Sequence, residues 1–201
     1  MNFIKIKIKE YKRKSKLSKF FDLLLLVVLF LVFIPSTRVK IQQLILNVGI
    51  TSSGKIENSN ITVPASFYNW QLVSSKGVTI NMQQFKNKVV FINFWATWCP
   101  PCVAELPYID DLNSKFENNS NVVIITVVNE SFDKVNSFMI KRNFSFDVFQ
   151  NRSGLPLLLN KSSIPTTFVI DKEGQLVLEK TGSYKWNSQQ IVDFIKELSN
   201  K

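Results

Sequence analysis

The stretch Phe94-Trp95-Ala96-Thr97-Trp98-Cys99-Pro100-Pro101-Cys102 contains both cysteines of the 201-residue chain. A strand-like apolar run, Val89 to Phe94, leads into it, and a helix-like run, Val103 to Glu117, follows it. At the start of a helix, the first sulfur of a Cys-x-x-Cys pair lies near unpaired N–H groups and the positive end of the helix dipole, which favour the thiolate. The segment therefore predicts a thiol–disulfide redox site.

The spacing of the two cysteines predicts a different role for each. Cys99 is the expected nucleophile, and Cys102, about one helical turn further on, is the expected resolving thiol. The alternative is a static disulfide or two buried core cysteines. A loop this short stabilises little by chain entropy, and the flanking Trp and Pro residues favour a presented site. We expect no cofactor beyond the redox-active disulfide Cys99–Cys102.

The chain contains no histidine, which is the commonest metal ligand and the commonest general base. Two thiolates alone also make a poor closed zinc site. Zinc-site and copper-chaperone interpretations of the cysteines therefore lose most of their support, and we expect no bound metal.

The net charge of +10 is concentrated at one end of the chain. Residues 1–19 carry eight basic side chains against the single acid Glu10, and the apolar run Phe20 to Ile34 follows at once. Basic residues before an apolar run are a topology signal, since the basic side stays in the cytoplasm. We therefore predict a basic cytoplasmic arm at 1–19 and a transmembrane anchor at 20–34, and no nucleic-acid binding.

The apolar run also allows a second interpretation, because its 15 residues fall short of the roughly 20 that span a bilayer. A cleaved signal peptide has an apolar region of this length. No Ala-x-Ala-like cleavage site follows, so we expect an uncleaved single-pass anchor in the bacterial cell membrane, with the catalytic domain on the periplasmic or extracytoplasmic side.

Residues 35–66 are expected to form a juxtamembrane segment and linker. Val39 to Leu46 is either a short amphipathic turn on the outer membrane surface or the frayed end of the anchor. Thr51 to Asn60 is rich in Ser, Gly, Asn and Lys, which predicts a flexible tether.

From about Phe67 the patterns predict one folded domain, 67–201, with a β-hairpin followed by the order β-α-β-α-β-β-α. Continuous apolar runs predict strands buried on both faces. The predicted elements are the hairpin Trp70–Val73 and Val78–Ile80, strands Val89–Phe94, Val122–Val128, Thr167–Ile170 and Gln175–Leu178, a helix after Cys102, a helix over Ser131–Lys141, and a final helix capped by Asn187 with Gln190 three residues on.

From Phe67 to Leu198 the chain resembles the thioredoxin superfamily, specifically its membrane-anchored TlpA/ResA-like thiol-disulfide oxidoreductases. The motif Trp98-Cys99-Pro100-Pro101-Cys102 and the segment Ile164-Pro165-Thr166-Thr167 carry the resemblance. It implies a thioredoxin fold: an α/β domain with a central mixed sheet flanked by helices and an N-terminal hairpin extension.

The resemblance also implies that Pro165 is a cis-proline facing the active-site sulfurs, and that Ile164 offers backbone groups to a substrate strand. The alternative is an ordinary trans proline opening an edge strand. Trp98 is expected in an exposed apolar collar where a partner docks. The expected substrate-binding set is Trp98, Pro100, Pro101, Ile164 and Pro165. Trp95, Trp70 and Trp186 are assigned to packing.

Glu105 lies three residues after Cys102, so that helical spacing brings both side chains to one face. Some ResA-like proteins have a functional glutamate at the matching position, which implies a proton-shuttling role. The alternative is that acids are simply favoured in the first turns of helices. Asn93 occupies the place of a buried thioredoxin aspartate, and an amide does not titrate, so Glu105 is the remaining candidate acid.

The direction of electron flow follows from the residues between the cysteines. DsbA-like oxidants have the motif Cys-Pro-His-Cys, in which the histidine imidazole helps to stabilise the reduced thiolate. This chain has Pro100-Pro101 between its cysteines and lacks that histidine. We therefore expect a reductase of exported protein disulfides. Resemblance implies a CcdA/DsbD-type transmembrane thiol carrier as electron source and apocytochrome c as one substrate.

Three other classes compete with a reductase. An extracytoplasmic disulfide oxidase is the nearest, and only the direction of electron flow separates it from the reductase. A peroxiredoxin-like peroxidase would have Thr or Ser at the position of Ala96. A non-enzymatic, membrane-tethered binding module would use the Trp98 and Pro165 surface without turnover.

Overall fold

The structure is a computed structural model that describes residues 15–33, 35–48, 61–161 and 163–201. The chain divides into two compact units, residues 1–41 and 42–201, which are described separately below. Most of the predicted basic arm and the predicted tether at 51–60 lie outside the described residues.

The first unit contains helix α1 (Lys16–Phe33), and helix α2 (Pro35–Val48) begins in it. The large apolar side chains of α1 from Leu17 to Leu31 are exposed, Phe20 and Phe30 among them. In the described parts of the chain, no helix has both the length and the apolar character needed to cross a membrane. The predicted anchor at 20–34 is thus a helix up to Phe33, and its membrane role stays a prediction.

The last turns of α2 belong to the second unit. There Leu46 is buried, and the Tyr108 hydroxyl donates to the carbonyl oxygen of Gln43 at 3.3 Å. This helix is longer than the amphipathic turn predicted at Val39 to Leu46, and its second half packs on the folded domain.

The second unit is built on one eight-stranded mixed sheet with the order β1-β8-β7-β4-β5-β6-β2-β3. β4 pairs parallel with β5, β5 pairs parallel with β6, and the other neighbours are antiparallel. The strands are β1 (Ile61–Thr62), β2 (Gln71–Ser74), β3 (Thr79–Asn81), β4 (Val89–Phe94), β5 (Val122–Val128), β6 (Val148–Asn151), β7 (Thr166–Ile170) and β8 (Gln175–Thr181).

Alternation along β4 divides the core into two layers, because successive side chains point to opposite faces. Phe91 contacts Trp186 edge to face, with 5.1 Å between ring centroids. Ile92 lies on the opposite face and joins a buried cluster with Trp70 and Phe168. Asn93 shares the face of Phe91, so a polar side chain at the end of the strand faces the same layer as Trp186.

The described residues of this unit also form three further α-helices: α3 (Pro100–Phe116), α4 (Phe132–Arg142) and α5 (Gln189–Asn200). α3 begins three residues earlier than the predicted helical run, because Pro100 and Pro101 occupy its first turn. Proline suits these positions, since the first N–H groups of a helix have no partner inside the helix. The prolines thus place Cys99 at the N-cap of α3.

Two predicted boundaries are wrong. The folded domain begins by Ile61 rather than at Phe67, because β1 pairs with β8 and the Val63 N–H donates to the Gly174 carbonyl at 2.9 Å. The N-cap position of α5 is Ser188 rather than Asn187, and the Ser188 hydroxyl makes no capping hydrogen bond with the described residues. The Asn187 amide instead donates to Asp111 at 2.8 Å, a contact with α3 that takes its side chain away from the helix end.

Candidate active site

Cys99 and Cys102 form a disulfide at the N-terminus of α3, with their Cα atoms 5.3 Å apart. The Cys102 N–H points at Cys99 Sγ from 3.3 Å, and Cys99 is 4% exposed whereas Cys102 is fully buried. After reduction, a Cys99 thiolate would accept a hydrogen bond from this N–H and would lie at the positive end of the helix dipole. Both interactions stabilise negative charge. Cys99 is therefore the sulfur better suited to react with an external partner.

The segment before β7 lies against the disulfide. The Ile164–Pro165 peptide bond is cis, as the resemblance implies, and the Ile164 carbonyl oxygen is 3.9 Å from Cys99 Sγ. The disulfide sulfur carries no proton, so this is a contact rather than a hydrogen bond. Two bonds hold the segment: Gly182 N–H donates to the Pro165 carbonyl at 2.9 Å, and the Thr166 hydroxyl donates to the Ser163 carbonyl at 2.7 Å.

The remaining predicted binding residues lie within two residues of Cys99 or Ile164 in the chain. Trp98 is 66% exposed, Pro100 and Pro101 are half-buried, and Pro165 is buried. A groove of about 340 Å³, which we call the motif groove, begins beside this set. It is lined by Trp98, Ile164, Phe94, Val128, Asn151 and Leu155, among others. An apolar surface of this kind next to a reactive sulfur suits the side chains that flank a substrate cysteine.

Trp95 is only 2% exposed and packs 5.7 Å from the Phe138 ring, in agreement with its assignment to the core. Trp70 and Trp186 are also buried, as predicted. Both indoles in addition donate hydrogen bonds: Trp70 to Asn151 at 2.8 Å and Trp186 to Glu105 at 2.9 Å. Trp186 thus has a role at the site that its assignment to packing missed.

Glu105 is fully buried one helical turn after Cys102. Oε1 accepts from Asn93 Nδ2 at 2.8 Å, and Oε2 accepts from the Tyr184 N–H and the Trp186 indole, each at 2.9 Å. Burial raises the pKa of Glu105 from its ordinary 4.5 to about 8, although all three hydrogen bonds oppose that rise. An acid with this pKa exchanges protons near neutral pH.

Sequence reasoning missed two features of this site. The donors Tyr184 and Trp186 come from the loop after β8, about 80 residues from Glu105, and no spacing rule connects them. The second feature is Glu130, which accepts from the Thr97 N–H at 2.6 Å and from the Thr97 hydroxyl at 2.8 Å and so fixes the turn before Cys99. The available signal for Glu130 was an acid two residues after the apolar strand β5.

Glu130 is ionised more readily than an ordinary glutamate. Burial opposes its ionisation, but hydrogen bonds from Lys134 and from both donors of Thr97 outweigh burial and lower the pKa of Glu130. The site therefore contains two carboxyl groups whose pKa values are shifted in opposite directions: the fully buried Glu105, one helical turn after Cys102, and the partly buried Glu130, beside the turn before Cys99.

The sheet order, the helix-capping cysteine pair and the cis-proline define a thioredoxin-fold thiol–disulfide protein. The chain belongs to the Redoxin family, whose model matches residues 58–194. It is 30% identical over 132 residues to the thiol-disulfide oxidoreductase ResA of Bacillus thuringiensis subsp. konkukian (strain 97-27), an alignment that covers 65% of this chain and 75% of that protein.

Two solved structures share the fold. The exposed lipoprotein thioredoxin Etrx1 of Streptococcus pneumoniae strain TIGR4 is 29% identical, with a TM-score of 0.54 over 64% of this chain and 98% of that one. A putative protein disulfide isomerase from Bacteroides thetaiotaomicron superposes with a TM-score of 0.62 over 75% and 96% of the two chains, at 22% identity. Together with the Cys99–Cys102 pair, the family match makes this chain a ResA-like thiol-disulfide oxidoreductase.

Proposed function

We propose that this oxidoreductase works outside the cytoplasm as a reductase of disulfides in exported proteins. The observation that carries the proposal is the position of Cys99: it caps α3 and lies 3.9 Å from the carbonyl oxygen of Ile164, a residue that lines the motif groove. A substrate segment that pairs with the backbone at Ile164 would bring its own sulfur to Cys99.

The reaction needs only the two cysteines and no further cofactor. The Cys99 thiolate attacks one sulfur of a substrate disulfide, a mixed disulfide forms, and the other substrate sulfur leaves as a thiolate that takes a proton from water. Cys102 then loses its proton and attacks Cys99 Sγ. The Cys99–Cys102 disulfide forms, the second substrate sulfur leaves and is protonated, and two electrons have passed to the substrate.

Glu105 is the proposed acceptor of the Cys102 proton. It lies one turn further along α3, and its pKa of about 8 lies close to that of an ordinary thiol. Transfer from Cys102 to an ionised Glu105 leaves a neutral buried acid beside the newly formed disulfide. The reverse transfer returns the proton to Cys102 when the pair is reduced again.

Substrate docking is assigned to the residues around Cys99: Trp98, Pro100, Pro101, Ile164 and Pro165. The exposed Trp98 ring supplies apolar contact area next to the sulfur. The absence of a histidine between the cysteines favours reduction over oxidation of substrates. Electrons would then come from a CcdA/DsbD-type transmembrane thiol carrier, and apocytochrome c is a candidate substrate.

The proposed location rests on the start of the chain. Basic residues up to Lys19 precede the apolar run 20–34, and large apolar side chains are exposed along α1. We assign residues 20–34 to a membrane anchor that leaves the catalytic domain on the extracytoplasmic side. A reporter fused after Lys201 should be active only outside the cytoplasm. The full chain should fractionate with membranes, whereas a variant lacking residues 1–34 should not, and a mature N-terminus after Pro35 would contradict the anchor.

Trapping of mixed disulfides tests the chemistry. Cys102→Ser should accumulate a mixed disulfide with a reducible protein substrate through Cys99, because attack survives while resolution does not. Cys99→Ser, which differs only in the sulfur that is removed, should trap nothing and lose activity. Trapping through Cys102 would reverse the assigned roles. A phenotype that survives Cys99→Ser would indicate a binding module instead of an enzyme.

A further inference from the structure

The hydrogen bonds of Asn93 raise a question that the mechanism does not answer. Its Nδ2 donates to Glu105 Oε1 and to Thr167 Oγ1, both at 2.8 Å. Its Oδ1 is buried and has no partner among the residues that the structure describes. An unpaired buried polar atom is costly, but either orientation of the amide leaves one end without a partner among the described residues, so this cost does not decide between the two orientations.

The observed arrangement suits only one protonation state of Glu105. Glu105 is the acceptor in all three of its hydrogen bonds, which come from Asn93, Tyr184 and Trp186. A carboxylate can only accept, so the arrangement suits the ionised form. A protonated Glu105 carries an O–H and needs an acceptor for it. The hydrogen-bond partner of Oε1 is the Asn93 nitrogen, which cannot accept.

Rotation of the amide about its Cβ–Cγ bond would supply the acceptor. The oxygen and nitrogen of an asparagine amide have nearly the same shape, and this torsion is soft. After half a turn, Oδ1 would face both Glu105 Oε1 and Thr167 Oγ1, and each of these groups can donate. The network thus keeps two hydrogen bonds at Asn93 in either state, with the donors and acceptors exchanged.

We infer that the Asn93 amide rotates by half a turn when Glu105 gains or loses its proton, so that Asn93 is a positioning residue that keeps Glu105 hydrogen-bonded in both states. This inference rests on the proposed transfer of a proton from Cys102 to Glu105. The strand register supports it, since Asn93 and Thr167 are direct partners across β4 and β7. Thr167 can both donate and accept, so it serves either orientation.

Among the residues that the structure describes, no charged side chain contributes to the shifted pKa of Glu105. β4 and β7 carry no ionisable side chain. The other ionisable side chains of the neighbouring helices and loop are Cys102, Tyr108, Asp110, Asp111 and Lys115 on α3, Asp193, Lys196 and Glu197 on α5, and Tyr184 and Lys185 after β8. Tyr184 reaches Glu105 through its backbone N–H. Burial and the three hydrogen bonds account for the shifted pKa of Glu105, which lies near enough to neutral for both states to be populated.

The test follows the Asn93 amide by NMR in the full chain, in its disulfide form and in detergent micelles. In the observed orientation the amide protons lie next to Thr167, so a nuclear Overhauser effect between them and the Thr167 side chain is expected above the Glu105 titration. The nuclear Overhauser effect should disappear at pH values below the Glu105 titration. The midpoint of its loss should equal the midpoint of the titration followed by the chemical shift of the Glu105 carboxyl carbon. Glu105→Gln resembles the neutral acid and can donate to Oδ1, so in that variant the effect should be absent at every pH.

A second variant measures the consequence for Glu105. Asn93→Leu has a similar shape but removes both the donor to the carboxylate and the acceptor for the acid. Because the bond to the charged form is the stronger of the two, the proton affinity of Glu105 should rise, but by less than about tenfold. The pH midpoint of the resolving step should rise with it.

The outcomes separate this inference from the proposed function. If the nuclear Overhauser effect between the Asn93 amide protons and Thr167 persists on both sides of the Glu105 titration, the inferred rotation is wrong, but the proposed function is unaffected. If the pH dependence of the resolving step is the same in Glu105→Gln as in the unmodified chain, the proton-accepting role of Glu105 is wrong, and the inference falls with it.

Discussion

The indole nitrogen of Trp186 donates to Glu105 Oε2 at 2.9 Å, joining the loop after β8 to the helix that carries both cysteines. The bond is buried, and it lowers a pKa that burial has raised. A side chain 81 positions from Glu105 in sequence therefore adjusts how readily the acid below Cys102 binds a proton.

Trp186→Phe removes this donor and keeps an aromatic ring. The pKa of Glu105 should rise further above its ordinary value, and the domain should lose about 1–3 kcal/mol of stability. Trp70→Phe is the matched control, because it removes a buried indole bonded to Asn151 on the other side of the sheet. Carboxyl-carbon NMR should show a shifted Glu105 titration only in the Trp186 variant, and equal titrations in both variants would contradict the assigned role.

Glu105 should also make stability depend on pH. Its folded pKa of about 8 exceeds its ordinary 4.5, so between these values the folded state binds the proton more strongly than the unfolded state. Stability should therefore fall as pH rises through this window, by up to about 1.4 kcal/mol per pH unit, and level off above it. Urea unfolding of the disulfide form should show this fall, which Glu105→Gln should remove and the exposed variant Glu117→Gln should retain.

Glu130→Ala should loosen the turn before Cys99. The carboxylate accepts from both the N–H and the hydroxyl of Thr97, and their loss should destabilise the domain by about 1–3 kcal/mol. It should also slow the attack of Cys99 on a model disulfide. Lys134→Ala is the control, since it removes only the half-exposed ion-pair partner of Glu130. An unchanged attack rate in Glu130→Ala would show that the turn holds its shape without this acid.

The corrected domain boundary predicts a difference between two fragments. A fragment of residues 61–201 keeps β1 and buried Val63, whereas a fragment of residues 67–201 leaves the partner edge of β8 uncovered. The shorter fragment should be less stable by about 2–4 kcal/mol, from one buried side chain and the lost backbone hydrogen bonds. Equal urea midpoints would mean that β1 contributes little.

The central strands and the redox motif were predictable because their signals are local. Val122–Val128 is a continuous apolar run, and the strand has those bounds. The cis bond at Pro165 and the burial of Trp95 agree with the resemblance and with the apolar pattern. In each case the residues that carry the signal adjoin the feature that they predict.

The partners of Glu105 could not be predicted, because they depend on tertiary placement. Trp186 reads as an ordinary core residue until the loop after β8 is placed against α3. β1 has only two residues, and its position is fixed by register with Leu176 and Gln175, so no periodicity reveals it. Asn187 resembles a helix cap, but its amide bonds Asp111 instead.

The reduction potential of the Cys99–Cys102 couple, measured in the full chain against a glutathione or dithiothreitol buffer, tests the central claim most directly. A reductase requires a potential clearly below that of strongly oxidising DsbA-like couples, which lies at about −120 mV, and each 30 mV of difference corresponds to about 1.4 kcal/mol. We expect a value clearly more negative than this. A value near about −120 mV would contradict the reductase and identify the protein as a disulfide oxidase.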